Sequence, residues 1–144
     1  MREGISPWLA GLLLVLVFGS AVPAEAGEAA PLKIELNKLE PQGEACRAYL
    51  VLENGSDSAF ADLKLDMVMF DSDGVVSRRL AVQAAPLPAG KTSLKVFDIR
   101  DLSCGRLGRV LLNDVMACGD QSGPRGDCLA LIQATARAPL SMIK

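Results

Sequence analysis

"FADLKLDMVMFDSDG", Phe60 to Gly74, is the stretch on which the fold turns. Leu63, Leu65, Met67 and Met69 alternate with Lys64, Asp66, Val68 and Phe70. In an extended chain successive side chains point to opposite faces, so the first set faces a core and the second faces out. Asp71, Ser72, Asp73 and Gly74 are turn residues, and "VVSRRLAVQ" then resumes an extended pattern. The stretch predicts a β-hairpin with one buried face.

The same grammar holds on both sides of it. "PLKIELNKLEP" alternates Leu32, Ile34 and Leu36 with Lys33 and Glu35, and Pro41, Gln42 and Gly43 close it. "ACRAYLVLENG" sets Cys46, Ala48, Leu50 and Leu52 against Arg47, Tyr49, Val51 and Glu53, and Asn54-Gly55 ends it as a turn. After the hairpin the chain runs out through Pro86, Pro88 and Gly90. "KTSLKVFDIRDLSC", "RLGRVLLNDVMAC" and "CLALIQATA" supply three more strands, although "CLALIQATARA" also admits a short helix. Short strands with turn signals at regular intervals predict an all-β fold: a single immunoglobulin-like antiparallel β-sandwich of about seven strands.

The N-terminus reads as an export signal. Arg2 is followed by the apolar run "WLAGLLLVLVF", Trp8 to Phe18, and then by small residues. Ala24-Glu25-Ala26 fits the A-x-A rule, placing cleavage before Gly27, with Ala24 as a second cut site. Residues 1–26 are therefore expected to leave, and 27–144 to form the domain. An uncleaved anchor is the alternative, but the run is short for a span of about 20 residues. No arginine pair and no lipobox cysteine accompany it. A periplasmic or secreted protein with no membrane span after cleavage is expected.

Composition then excludes classes of function. The formal net charge is −2, and the aromatics are few, so no footprint for nucleic acid is present. The chain has no histidine. That removes the imidazole base from Ser-His-Asp and Cys-His chemistry, and His-ligated zinc and haem with it. "GDQSGP" around Ser122 resembles the serine loop of a chymotrypsin-like protease, but without a histidine it is not one. "DSDG" resembles the opening of a calcium loop, but Gly74 comes too early and no acid stands at the twelfth position. No metal site and no cofactor are expected.

Cys46, Cys104, Cys118 and Cys128 are an even set in an exported chain, so two disulfides are expected. Proximity favours Cys118–Cys128 around the loop "GDQSGPRGD". The remaining pair, Cys46–Cys104, passes a topological test. In such a sandwich the second and fifth strands are antiparallel neighbours, which brings the start of one beside the end of the other. The "RGD" of the loop, Arg125 to Asp127, matches an adhesion tripeptide, though a solvated turn accounts for it as well. The loop is expected to be an exposed hairpin connection between the last two strands. Its Asp120, Ser122, Arg125 and Asp127 are the candidate interaction residues.

Residues 48–99 carry a resemblance. "AYLVLENGSDSAFADLKLDMVMFDSDGVV" and "APLPAGKTSLKVFDI" resemble the FxLYD-type, Ig-like accessory domains of bacterial envelope proteins. Met69-Phe70-Asp71 stands near their aromatic-Asp element, Asp73-Gly74 at their hairpin turn, and Leu87 to Lys91 at their "l.pGe" turn. The whole chain is also similar to small secreted alphaproteobacterial proteins without an assigned activity. The resemblance implies a non-enzymatic periplasmic accessory or interaction protein, with a Tol/Exb-type proton-channel component as partner. The alternative is a small-ligand or lipid binder whose pocket would be lined by Met67, Met69 and Met116. An enzyme is not expected: Asp66, Asp71, Asp73 and Asp114 supply carboxylates, but nothing pairs them.

Overall fold

A computed structural model describes residues 32–144, together with Gly4. The expected signal segment otherwise lies outside the described residues. The regular structure of the described chain is almost entirely β: β1 (Leu32–Gln42), β2 (Ala45–Asn54), β3 (Asp62–Asp71), β4 (Val76–Gln83), β5 (Thr92–Ile99), β6 (Leu107–Asp120), β7 (Gly123–Pro124), β8 (Ile132–Ala136) and β9 (Met142–Ile143). A 3-10 turn at Cys104–Arg106 and a one-turn helix α1 at Cys128–Leu131 complete it.

The strands form two packed sheets. The first has the order β5-β2-β1-β8, and the second β4-β3-β6-β7 with β9 also on β6. Seven of the nine strands are those the sequence predicts, and β7 and β9 are two-residue additions. Two pairings depart from a purely antiparallel sandwich: β1 with β8 and β6 with β9 are parallel.

The alternation in the sequence is what the core uses. Leu63, Leu65, Met67 and Met69 of β3 are 0% exposed, and Ala48, Leu50 and Leu52 of β2 meet them from the other sheet. Each such Leu or Met taken out of water contributes about 2 kcal/mol. The hairpin turn forms as read. Asp71 Oδ1 accepts the amides of Asp73 (3.0 Å) and Val75 (2.9 Å), and Gly74 takes φ 80°. That carboxylate is engaged by its own turn.

Both disulfides are formed as expected, Cys46–Cys104 across 58 residues and Cys118–Cys128 across 10. The first follows from register, since Cys46 pairs with Ile99 and the chain reaches Cys104 just beyond. No free cysteine remains among the described residues. This chemistry fits an extracytoplasmic protein. Among the described residues no helix is long and apolar enough to cross a membrane.

Three expectations need correction. The Cys118–Cys128 loop is not a hairpin between the last two strands. β6 lies in the second sheet, whereas β8 joins the first beside β1, so the loop is a crossover that includes its own small β6–β7 hairpin. "CLALIQATARA" is both a helix and a strand: α1 is followed at once by β8. Asp66, on the outward face by alternation, is nevertheless 2% exposed.

Candidate functional site

The candidate residues sit at one end of the sandwich, where three connections converge. They are residues 55–61 between β2 and β3, 84–91 between β4 and β5, and 118–128. Backbone bonds join the first two, with Phe60 and Leu87 exchanging N–H···O bonds of 2.9 Å. The third joins through the amide of Ala61, which donates to the Gly119 carbonyl at 2.9 Å.

Asn54 fixes this end. It is 2% exposed, and its Nδ2 donates to the carbonyls of Ser58 (2.9 Å), Leu87 (3.2 Å) and Pro88 (3.1 Å). Its Oδ1 accepts from the Ser56 amide (3.1 Å) and hydroxyl (2.7 Å). A buried amide with its hydrogen-bonding capacity met at every atom rigidifies its surroundings. From the sequence alone Asn54 is a turn residue. The signal that marks it as more is the pairing of a strand-ending Asn with the Leu87-Pro88 element, which is a long-range match.

Of the four predicted loop residues, the structure brings three into one ionic cluster. Arg125 gives two bonds to Asp127, Nε to Oδ1 at 3.1 Å and Nη2 to Oδ2 at 2.9 Å. Its Nη1 lies 3.9 Å from Asp120 Oδ2, and its guanidinium covers the Phe60 ring at 5.9 Å. The bond from Arg125 holds the Asp127 carboxyl below the usual carboxylate range, and the same bond raises Arg125. The arginine and aspartate of the "RGD" therefore close on each other rather than standing apart. Ser122 joins through its backbone, its amide donating to Asp120 Oδ1 at 2.7 Å.

Two clefts open beside this cluster. One, of about 370 Å³, lies between Asp57, Ser58, Ala89, Asp120 and Ser122. The other, of about 520 Å³, is bounded by Asp62, Met116, Gly119, Asp120, Pro124 and Arg125. Asp120 stands in the wall between them. Met116 is 56% exposed there, because β6 shifts register between the Val115 and Ala117 pairs and turns Met116 outward. Met67 and Met69 are buried in the core instead, so the three methionines do not line one pocket.

Asp66, Asp71, Asp73 and Asp114 do not converge. Asp71 and Asp73 are in the hairpin turn, and Asp66 binds Arg79 and Asn113 on the second sheet. No group of three or more potential metal ligands assembles among the described residues.

The architecture defines a two-sheet β-sandwich with a built loop end. No family model matches the chain, and no curated protein matches it. Among solved structures it is similar to IrmA from Escherichia coli, with a TM-score of 0.51 and 13% sequence identity over 72% of this chain and 89% of that one. At that identity the likeness establishes the fold alone.

Proposed function

We propose that this chain is a non-enzymatic accessory protein of the bacterial envelope, which recognises a partner through the loop end of its sandwich. The observation that carries this is the construction of that end. A buried Asn54 clamp and the Cys118–Cys128 bridge hold Asp120, Ser122 and the two clefts on a rigid frame. Residues on loops held by a rigid scaffold are where binding surfaces are usually found. The export signal, the disulfides and the resemblance of residues 48–99 to FxLYD-type, Ig-like envelope domains support the same reading. The partner proposed is a Tol/Exb-type proton-channel component.

The test is a photo-crosslinking residue placed at Ser122 in intact envelopes, with one at Asp73, in the exposed β3–β4 turn at the opposite end of the sandwich, for comparison. A discrete adduct from Ser122 alone, lost on Asp120→Arg, is expected. Identical adducts from both positions, or none from Ser122, overturns the reading. Stoichiometric labelling of Ser122 by a fluorophosphonate would overturn its non-enzymatic part.

A further inference from the structure

β5 is the terminal strand of the first sheet and pairs, among the described residues, only with β2. Its other edge has no strand on it among the described residues, and a long open edge is a template for another strand. On its outer side Leu94 is 57% and Val96 46% exposed. On its inner side, in register with the core residues Leu50 and Ala48 of β2, stand Lys95 and Phe97. A cleft of about 280 Å³ separates β5 from β4, between Leu80, Val82, Lys95 and Phe97.

The strand reads Thr92-Ser93-Leu94-Lys95-Val96-Phe97-Asp98. Antiparallel pairing with a second copy, centred on Lys95, sets Leu94 against Val96, Ser93 against Phe97 and Thr92 against Asp98. Moving the centre one pleat toward Val96 sets Leu94 against Asp98. Moving it toward Leu94 sets Val96 against Thr92 and shortens the overlap. The neighbouring registers set only Val96 or only Leu94 against an apolar residue, its own copy; the register that gives both an apolar partner places Lys95 directly opposite its own copy. Lys95 points inward, its Nζ 3.4 Å from the Ala85 carbonyl, so two ammonium groups would meet in the cleft. An inward-pointing charge is a device that blocks edge pairing, and like charges directly opposite each other destabilise a ladder.

We propose that the β5 edge is a strand-docking site, closed to a second copy of this chain by Lys95 and open to an extended segment that sets a carboxylate opposite it. The outer side asks such a segment for apolar residues facing Leu94 and Val96, and the inner side asks for an acid. Main-chain bonds would supply affinity and the lysine the choice of partner. This rests on the reading of the chain as an interaction domain, but not on its loop end.

The probe is the chain's own Lys95→Glu variant. Wild type alone and Lys95→Glu alone should each sediment as monomers. Their equimolar mixture should form a one-to-one dimer at least about tenfold more tightly than either homodimer, and salt should weaken it. Amide exchange should slow along Thr92–Asp98 in the mixture only. A mixture of folded chains that stays monomeric overturns the proposal, as does a wild-type dimer with protected β5 amides. If Lys95→Glu does not fold, Lys95→Val replaces it: self-association where wild type has none supports the closed edge, and a folded monomer overturns it. Failure here leaves the Ser122 crosslink standing, and a failed crosslink leaves this result standing.

Discussion

The two outer faces of the sandwich are built from strands of similar pattern and end up chemically unlike. On the first sheet, register sets opposite charges beside each other. Lys33 pairs with Glu53 at 3.6 Å, and Arg47 gives Asp98 two bonds of 2.8 and 3.1 Å. Glu40 takes both Lys38 at 3.1 Å and the Tyr49 hydroxyl at 2.5 Å. Every one of these groups is at least partly wet. On the second sheet, register lines up Val76 with Phe70, and Val68 with Leu111, which pairs with Ile143 beyond. Arg109 lies over the Phe70 ring at 4.9 Å. Within this apolar stripe one carboxylate, Asp66, is buried. Arg79 reaches it diagonally with two bonds of 2.7 Å, and Asn113 adds a third of 2.7 Å. Its cross-strand neighbour on β4 is the small Ala81, which leaves room for the arginine to fold over, and its neighbour on β6 is Asp114, a like charge that the same arginine also attracts.

A charge on an outward position is thus not always a solvated charge. The first face is a set of replaceable pairs in water, and such pairs contribute little. The second holds one charge out of water, and removing any partner of such a group is costly.

The largest expected effect that separates the faces is therefore Asp66→Ala. It deletes three charge-assisted bonds and leaves a hole in a covered position, and should cost about 2–3 kcal/mol by denaturant midpoint. A loss no greater than that of Lys33→Ala would erase the distinction between the two faces.

Next in size is Gly108→Ala, on the same sheet. A Cβ at Gly108 would lie against the Asp71 carbonyl oxygen and within 2.9 Å of its carbon, both backbone atoms that cannot turn aside. The β3–β6 pairing would have to part locally, at about 1–3 kcal/mol, the range for overpacking. An unchanged midpoint, with the strand pairing intact by NMR, would show that this contact tolerates a methyl group.

Acid also separates the two faces. The bonds from Arg79, and then from Asn113, hold the Asp66 carboxyl below its ordinary value of 3.8. A carboxyl whose folded pKa is depressed adds stability that is present above its unfolded pKa and is lost as pH falls through the folded one. The stability gap between wild type and Asp66→Asn should thus be full at neutral pH and close below about pH 4. A gap that widens on acidification would reverse the assigned sign.

How much of this was legible beforehand follows from the range of the interactions. Period-two alternation is local, so it sorted Leu63, Leu65, Met67 and Met69 inward and located the Asp71–Gly74 turn. The long disulfide was legible because antiparallel order alone brings Cys46 near Cys104. Alternation does not say whether an outward residue is covered, which is why the burial of Asp66 does not show in the sequence. Its partner Asn113 is aimed by a register shift in β6, between the Asp114 and Leu112 pairs, that no turn residue announces. The passage of β8 to the first sheet was hidden for the same reason: its parallel ladder with β1 joins segments about a hundred residues apart, and neither segment's pattern names the other. At the loop end, the bridge and the turn chemistry were readable, and the Asn54 clamp to Leu87 and Pro88 was not.

The smallest effect is expected on the first face, and it is the one that makes the contrast quantitative. Lys33 and Glu53 face each other across β1 and β2 with side chains 49% and 53% exposed. Water already solvates both, so their attraction is weak and the side chains lose freedom by meeting. Lys33→Ala should shift stability by less than about 0.5 kcal/mol. The double variant with Glu53→Ala should show almost no coupling beyond the sum of the singles, and what coupling exists should vanish in about 1 M salt. The same cycle on Asp66 and Asn113 should show stronger coupling that survives the salt, because Asp66 is buried and Asn113, which donates to it, carries no charge for salt to screen. Should the Lys33–Glu53 pair couple as strongly as Asp66–Asn113, burial would not be what divides the faces. The order imposed by register, rather than the exclusion of water, would then have to carry the difference.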